Sequence, residues 1–310
     1  MTPFTEQALV LTGALLWDAL LGEPPKFCHP VVWIGRLQRT LRRSAPRRPA
    51  SAFLHGLGMA LLGPALFGGG SWLLLRGLEP WPVARILVSI YLLKSAFAVR
   101  SLAEAAVAVA TALRANDLVS ARGALRSLVS RPTAVLDSPR VAAAAIESVA
   151  ENTSDSLVAP LVYFLIAGVP GALAYRAINT LDALIGYHGE TEWLGKAAAR
   201  LDDLANWLPA RLTAALLVAV AAAADASPRR ALAIWWRDGG TTESPNAGRP
   251  MAAMAGALGV ELEKIDHYRL GAGLEVADAR TIDRAVRLLW LVGGLTTTLV
   301  FALLKVGHGS

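Results

Sequence analysis

Residues 147–187 of this chain read ESVAENTSDSLVAPLVYFLIAGVPGALAYRAINTLDALIGY, and they place polar side chains on both sides of an apolar segment. Acidic residues, two Asn-Thr pairs and a Tyr-Arg pair surround a core that is hydrophobic enough for a membrane. Polar groups next to such a segment are expensive to bury, so their presence indicates a functional site rather than a plain anchor.

The composition of the whole chain agrees with a membrane protein. Of its 310 residues, 54% are hydrophobic and 17% are charged, whereas ordinary soluble domains carry about 25% charged residues. The mean hydropathy is +0.45. We therefore predict an all-α, polytopic helical membrane protein that forms a single domain over residues 1–310.

Net charge and cysteine content exclude other classes. The net charge of +6 comes mostly from Arg residues in loops beside apolar segments, as the positive-inside rule expects. We expect no nucleic-acid partner, because no basic stripe with interleaved aromatic residues occurs. Cys28 is the only cysteine, which excludes an intrachain disulfide and a Cys-based zinc site.

The membrane segments can be placed approximately, about four to six in number. The clearest are 53–75, about 83–99 and 288–304, and the shorter segment 8–22 is expected to be a first membrane helix that tilts or lies at the rim. Two more are ambiguous, because one contains a Gly-Pro break and the other is mostly Ala and Val: 157–175 and 208–224. Both could cross fully or neither could, and we favour two re-entrant half-helices.

Arg residues between 36 and 48 predict the orientation of the chain. Six of them lie in this loop, which should face the cytoplasm. With re-entrant half-helices, the polar motifs also face the cytoplasmic side of the cell inner membrane. We expect no β-strand, because no alternating pattern is convincing.

An acidic stripe opens the polar region. Glu147, Glu151 and Asp155 are spaced four residues apart, which places them on one face of a helix, and Asn152 lies beside them. Three carboxylates on one face repel one another unless a cation lies between them, so the stripe predicts a site for a hard divalent ion such as Mg²⁺. The alternative is a solvated helix face with Asp155 as a cap.

A second polar group follows the apolar segment. Tyr175, Arg176, Asn179 and Asp182 lie at helical spacing, and Arg176 could hold a carboxylate or phosphate through two parallel hydrogen bonds. The alternative is an interfacial Tyr-Arg anchor on an ordinary polar helix face.

A third group combines acids with arginine. Asp202 and Asp203 precede Arg211, a combination that is typical of metal and anion ligands. The alternative is a capped interfacial helix that Trp207 anchors in the membrane.

The turn SPNAGRP at 244–250 precedes an apolar helix. Its backbone N–H groups at the helix start would form an anion site, to which Arg249 adds a charge and Asn246 an amide. The alternative is a plain loop with an N-cap.

The N-terminal motif contains an acid within an apolar run. Asp18 is costly there unless another group pairs with it. His29 could act as a general base, although a single His is more often a satisfied structural group.

These motifs together resemble the membrane-bound adenosylcobinamide-phosphate synthase family of cobalamin biosynthesis, the CobD/CbiB family. They occur in family order along nearly the whole chain: Asp18 with GEPP and HPVVWIGR, ESVAENTSDSLVAP, YRAINTLDALIGY, ARLDDLANWLPARLTA and SPNAGRPMAAMAGALGV. Each motif alone is weak, whereas five in order are specific.

The resemblance implies an amide synthase. The family joins the free propionate carboxylate of adenosylcobyric acid, a corrinoid, to (R)-1-amino-2-propanol or its O-phosphate, and it implies ATP and Mg²⁺. We expect the metal–ATP ligands to be Glu147, Glu151 and Asp155, with Asp202 and Asp203 at a second site. We expect the phosphate to be bound by Arg176, Arg211 and Arg249. We expect substrate to be oriented by Asn152, Tyr175, Asn179 and Asn246, with Asp182 and His29 as further catalytic candidates.

Two other functions compete with this one. A non-catalytic membrane sensor of related fold would not need the ordered polar motifs. A transporter of a corrinoid or another anion would use broken helices with polar centres, but no inverted repeat is evident. The sequence leaves open whether the amine is phosphorylated, whether a partner from late cobalamin biosynthesis is needed, and whether the chain is a homo-oligomer.

Overall fold

The structure is a computed structural model that describes residues 2–186 and 192–308, and most of them are helical. Tyr187, the last residue of the YRAINTLDALIGY motif, lies outside the described residues. The helices are α1 (Pro3–Leu21), α2 (Pro30–Arg43), α3 (Pro49–Pro64), α4 (Gly70–Gly77), α5 (Pro82–Ala96), α6 (Val99–Arg114), α7 (Leu118–Leu125), α8 (Ser138–Thr153), α9 (Ala159–Ile185), α10 (Glu192–Val220), α11 (Pro228–Asp238), α12 (Gly248–Leu258) and α13 (Ala279–His308). Many begin with proline in the first turn, where a missing N–H and a fixed φ fit the helix.

The fold is that of an all-α, polytopic membrane protein, as predicted. Six helical stretches are long and apolar enough to cross a membrane, by length and composition. They are Pro3–Leu21, Pro49–Gly77, Pro82–Arg114, Ser138–Ile185, Glu192–Ala224 and Ala279–Gly307. The two ambiguous segments lie inside the fourth and fifth stretches, and their re-entrant topology stays a prediction.

The break in the fourth stretch is confirmed. Within α9, Ala167 has φ −139° and ψ 22°, and Gly168 has φ 63° and ψ −156°, so the helix is interrupted there. Gly168 adopts this positive φ because it has no Cβ, and Pro170 follows it. A turn of π-helix at Ser154–Val158 joins α8 to α9.

The chain divides into two compact units, which are described separately. The first unit comprises Met1–Ala98, Ala159–Ala205 and Thr298–Ser310. In it, α1 packs against α5, and α9 packs against α2, α3 and α5. One buried apolar cluster of this unit consists of Met59, Ala60, Leu181, Ile185, Leu194 and Ala198.

A close helix contact in the first unit depends on glycine. A Cβ added at Gly56 of α3 would lie 1.9 Å from the carbonyl oxygen of Leu194 in α10, closer than real atoms approach. The sequence alone does not show which glycine makes the close contact, because Gly58, two residues further along the same helix, faces open space.

The second unit comprises Val99–Val158 and Asn206–Thr297. Its centre is α8, which packs against α6, α7 and α12. Residues 141–150 of α8 are all buried, and several are Ala, so neighbouring elements can approach the helix from every side. The prediction of one domain over 1–310 stays a prediction.

A small sheet in the second unit contradicts the expectation that strands are absent. Strand β1 (Val260–Lys264) pairs antiparallel with β2 (Tyr268–Leu270) and parallel with β3 (Glu275–Val276). These strands are too short to show an alternating pattern, and contact with α8 and α12 stabilises them.

An acid at the end of α11 holds the turn after β2. Asp238 is buried, accepts two hydrogen bonds from Arg237 at 2.6 and 2.8 Å, and accepts one from the backbone N–H of Gly271 at 2.7 Å. The bonds from Arg237 and then from Gly271 outweigh burial and lower the pKa of Asp238.

Candidate functional site

A polar pocket lies in the second unit beside the predicted acidic stripe. It has a volume of about 150 Å³ and is formed by α8, the segment before it and the β1–β2 hairpin. Its charged and aromatic lining, called the Glu147 pocket below, consists of Arg131, Glu147, Glu151, Lys264 and Tyr268. Only the two glutamates were predicted from the sequence.

Glu147 is the most buried acid of this pocket. It is 5% exposed, and its Oε2 accepts a hydrogen bond of 2.7 Å from Nη2 of Arg131. The other carboxylate oxygen, Oε1, is buried and has no hydrogen-bond partner. A buried carboxylate oxygen without a donor is costly, so this atom marks a place where a ligand could donate.

Tyr268 brings a neutral hydroxyl to the same pocket. Burial, together with the negative charges of Glu147 and Glu151, raises the pKa of Tyr268 far above its ordinary value. The phenol therefore stays protonated at physiological pH. Its hydroxyl lies 3.8 Å from the sulfur of Met251 and also acts on the Glu147 carboxylate as a hydrogen-bond donor. The ammonium of Lys264 lies 6.0 Å from the ring centre.

The stripe does not form a three-ligand metal site. In residues 2–186 and 192–308, no group of three or more His, Cys, Asp or Glu side chains is arranged to hold a metal ion. Glu147 is paired with Arg131, and Asp155 lies just after the end of α8, in the π-helical turn. Mg²⁺ often needs only one or two carboxylates besides phosphate oxygens, so a metal role of single acids stays a prediction.

Asn152 is engaged within its own helix. Its amide nitrogen donates to the carbonyl oxygen of Ser148 at 2.9 Å, and its amide oxygen accepts from the hydroxyl of Ser156 at 3.1 Å. These bonds support the start of the π-helical turn, and the predicted substrate contact of Asn152 stays a prediction.

A second polar site of this unit joins two arginines that are distant in sequence. Nη1 of Arg211 donates to Oδ1 of Asn246 at 3.2 Å, and the Arg211 guanidinium lies 4.4 Å from the ring centre of Trp207. The charge of Arg249 acts on Arg211, so the two positive groups are close enough to repel each other. Nε of Arg249 is buried without a hydrogen-bond partner. An anion bound between these guanidinium groups would offset the repulsion between them and would accept a hydrogen bond from Nε of Arg249.

The backbone at the start of α12 is not the free anion site that its sequence predicts. The N–H groups of Asn246 and Gly248 donate to the hydroxyls of Ser244 and Thr242 at 3.2 and 3.1 Å. The N–H of Arg249 donates to the carbonyl oxygen of Asn246 at 2.9 Å. The guanidinium side chains are therefore the groups that could meet an anion.

The predicted polar residues of α9 lie in the first unit. Nη1 of Arg176 donates to Oδ1 of Asn179 at 3.3 Å, and Nδ2 of Asn179 lies 3.5 Å from Oδ1 of Asp202 in α10. Tyr175 is fully buried and stacks on Tyr163, with ring centres 5.0 Å apart. The structure thus joins Arg176, Asn179 and Asp202 in one chain of polar contacts.

Asp182 and Asp203 are the two other predicted acids of this unit. Asp182 is partly buried on α9, one turn beyond Asn179. Asp203 lies 3.8 Å from Nη1 of Arg200, whose side chain is largely exposed. Their catalytic and metal roles stay predictions.

The N-terminal motif of the first unit is built on a residue that the sequence analysis missed. Lys94 of α5 is completely buried, and its ammonium lies 3.0 Å from Oδ1 of Asp18 and 2.9 Å from Oε1 of Glu23. The expectation that Asp18 needs a partner is confirmed. A lysine inside the apolar segment 83–99 was itself a signal, because ionisable residues in membrane segments are rare and paired.

His29 is held by the same network. Its Nδ1 accepts the backbone N–H of Val31 at 3.2 Å, which caps α2, and its Nε2 lies 3.0 Å from Oε2 of Glu23. Burial raises the pKa of Glu23, but hydrogen bonds and charge from His29 and Lys94 lower it below its ordinary value overall. Both ring nitrogens are thus engaged, and a role of His29 as general base stays a prediction.

Arg131, Lys264 and Tyr268 had no local signal. Arg131 precedes Pro132 in a segment between helices, while Lys264 and Tyr268 belong to the unexpected hairpin. Their connection with Glu147 arises only because the hairpin packs against α8.

These observations define a polytopic helical membrane protein with buried polar sites beside its apolar helices. The sequence profile of the CobD/Cbib protein family matches residues 11–289. The chain belongs to the CobD/CbiB family.

Similar proteins cover nearly the whole chain. "Cobalamin biosynthesis protein CobD" of Dehalococcoides mccartyi is 42% identical over 92% of this chain and 93% of its own. The CobD protein of Klebsiella pneumoniae is 38% identical over 94% of this chain and 96% of its own. "Cobalamin biosynthesis protein CbiB" of Salmonella typhimurium is 37% identical over 94% and 97%. No solved structure matches the chain.

Proposed function

We propose that this chain acts in cobalamin biosynthesis as an ATP-dependent amide synthase. It would join the free propionate carboxylate of adenosylcobyric acid to (R)-1-amino-2-propanol or its O-phosphate. Membership of the CobD/CbiB family and the names of the relatives support the pathway. The anion chemistry rests on Arg211, which donates to Asn246 and is close enough to Arg249 to feel its charge. The resemblance had assigned all three residues to substrate.

The proposed chemistry needs a group that stabilises phosphate. A carboxylate is a poor acyl donor, so one of its oxygens first attacks the terminal phosphorus of ATP, giving an acyl phosphate and ADP. The amine nitrogen then attacks the acyl carbon, loses a proton, and phosphate leaves with the bonding electrons. Two guanidinium groups held close together before substrate arrives would stabilise the charge that develops on the transferred phosphate.

The guanidinium pair suits this role because its position is fixed by its surroundings. Arg211 stacks on Trp207 and bonds to Asn246, and Arg249 lies in the first turn of α12, between the buried residues Gly248 and Pro250. Little rotamer freedom is left to lose when an anion binds, which increases the affinity. In the first unit, Arg176 would serve a separate carboxylate or phosphate contact, with Asn179 and Asp202 to orient it.

ATP would enter as its Mg²⁺ complex. The metal supplies charge neutralisation on the phosphates when it is bound. Since no three-ligand group exists among the described residues, we assign no step of this chain's chemistry to the metal and regard Asp155 as a candidate single ligand. We place the reaction on the cytoplasmic side of the inner membrane, as the Arg-rich loop 36–48 predicts.

The function is tested by mass spectrometry on the detergent-purified chain. Adenosylcobyric acid and Mg²⁺–ATP are supplied with aminopropanol in one reaction and with its O-phosphate in another. We expect a product heavier than the corrinoid by the amine minus water, formed only when ATP is present. If folded protein gives no product with either amine, the amide synthase is refuted for the isolated chain, and the sensor and transporter functions gain support.

A further inference from the structure

The Glu147 pocket has a size that suits only a small ligand. Its volume of about 150 Å³ corresponds to roughly five water molecules at about 30 Å³ each. Pockets for drug-sized ligands and cofactors have volumes of roughly 300–1,000 Å³. Neither a corrinoid nor a nucleotide would fit inside it, whereas a short-chain amine would.

The charges of the pocket indicate which end of such a molecule is bound. Oε1 of Glu147 is buried without a donor, and Glu151 lines the same space. Arg131 donates to Oε2, and the Tyr268 hydroxyl acts on the same carboxylate, yet Oε1 has no hydrogen bond of normal geometry and can accept one from a ligand. A hydrogen-bond donor with a positive charge would satisfy the carboxylate best.

A metal ion is a poor candidate for this position. No third ligand is present among the described residues, and the positive charges of Arg131 and Lys264 face the same space. With Glu147 and Glu151 they bring the formal charge of the lining to zero, which gives no net attraction to offset the cost of dehydrating a divalent cation. An ammonium also carries three N–H donors, which suits a pocket lined by two carboxylates.

We propose that the Glu147 pocket binds the primary ammonium group of the amine substrate, with Glu147 and Glu151 as its acceptors. This inference rests on the proposed function for the identity of the amine. The ammonium is common to aminopropanol and its O-phosphate. Lys264 also lines the pocket, and its ammonium would meet a phosphate if the amine carries one.

Binding to the full-length chain in detergent tests this without turnover. Isothermal titration would compare aminopropanol and its O-phosphate with 1,2-propanediol, which replaces the ammonium by a hydroxyl. We expect both amines to bind and the diol to bind at least tenfold more weakly, because a charge-assisted hydrogen bond is lost. Equal binding of the diol would overturn the proposal.

Variants locate the site. Glu147→Gln should weaken both amines at least tenfold, and the same loss is expected for Glu151→Gln, which provides a second variant if Glu147→Gln does not fold. The matched control is Glu263→Gln, since Glu263 lies on β1 but outside the pocket and pairs with Arg269 at 2.6 Å. Unchanged amine binding in folded Glu147→Gln or Glu151→Gln would refute the assignment.

The role of the phosphate is separated by Lys264→Met. Selective loss of affinity for the O-phosphate would support a phosphorylated amine in this pocket. An equal small effect on both amines would still support the ammonium site, with the phosphate bound elsewhere.

The experiments distinguish a failure of the proposed ammonium site from a failure of the proposed amide synthase activity. Turnover by Glu147→Gln with an unchanged KM for the amine would remove the pocket from the reaction while the amide synthase stands. Glu147-dependent amine binding without any turnover would keep the pocket and refute the synthase in the isolated chain.

Discussion

Replacing Lys94 by Met should destabilise the first unit strongly. The lysine ammonium is completely buried and is shared by Asp18, whose side chain is 4% exposed, and by Glu23, whose side chain is 32% exposed. Met has a similar length but carries neither the charge nor the N–H donors of the ammonium. Asp18 would then remain in an apolar helix without its cation, and ionisation there is unfavourable.

The magnitude follows from the burial of the pair. Removing one partner of a buried ion pair costs about 3–5 kcal/mol, because the other charge is left uncompensated. For a chain of 310 residues, an unfolding entropy of about 2 cal/mol/K per residue converts this loss to a decrease of roughly 5–8 °C in melting temperature. The Glu23 side chain can still reach water, so most of the loss comes from Asp18.

Thermal unfolding of the detergent-purified variants would measure this decrease. Lys26→Met is the control, because Lys26 is exposed and has no ion pair in the described structure; its melting temperature should be unchanged. The double variant Lys94→Met with Asp18→Asn should recover much of the loss. A melting temperature of Lys94→Met within a degree of the parent would show that the buried network contributes no stability.

Other predictions follow from single contacts. Gly56→Ala should destabilise the chain by about 1–3 kcal/mol, because its Cβ would overlap a backbone carbonyl, while Gly58→Ala should be neutral or slightly stabilising; equal melting temperatures would contradict the close contact. The lowered pKa of Asp238 means that its stabilisation is complete above the ordinary Asp pKa and is lost as pH falls through the lower folded value. Asp238→Asn should therefore lose about 1–2 kcal/mol at neutral pH and show a flatter acid decline in melting experiments, and parallel pH curves would refute this. Arg249→Ala should raise the apparent KM for ATP or for the amine phosphate about tenfold in steady-state assays, through loss of a charge-assisted hydrogen bond; unchanged values for both would remove Arg249 from the phosphate site.

Much of the fold could be predicted from local sequence properties. Apolar segments of sufficient length predicted the membrane helices, and Gly168 with Pro170 predicted the break in α9. The hairpin at 260–270 was missed, since strands of five and three residues give too little alternation and depend on packing against α8.

The candidate site was predictable by residue type but not by partner. Glu147 was recognised as important, yet its spacing with Glu151 suggested a metal site, whereas the structure gives it Arg131 as a partner. Likewise the turn before α12 suggested that its backbone N–H groups are free to bind an anion. In the structure, two of these N–H groups already donate to hydroxyls of the same loop. The local sequence shows which polar groups are costly to bury. It does not show which residue, distant in the chain, forms the hydrogen bond or ion pair that offsets this cost.

The sequence by itself determined the helical membrane class, the positions of the apolar segments and the five motifs of the family, because each depends on residues close together in the chain. The tertiary structure alone decided that Lys94 meets Asp18, that Arg249 lies beside Arg211, and that Tyr268 joins the Glu147 pocket. These contacts join residues far apart in the chain, so they are fixed by how the helices pack. Burial then makes each pairing matter, since a charged or polar group removed from water must find its partner within the fold.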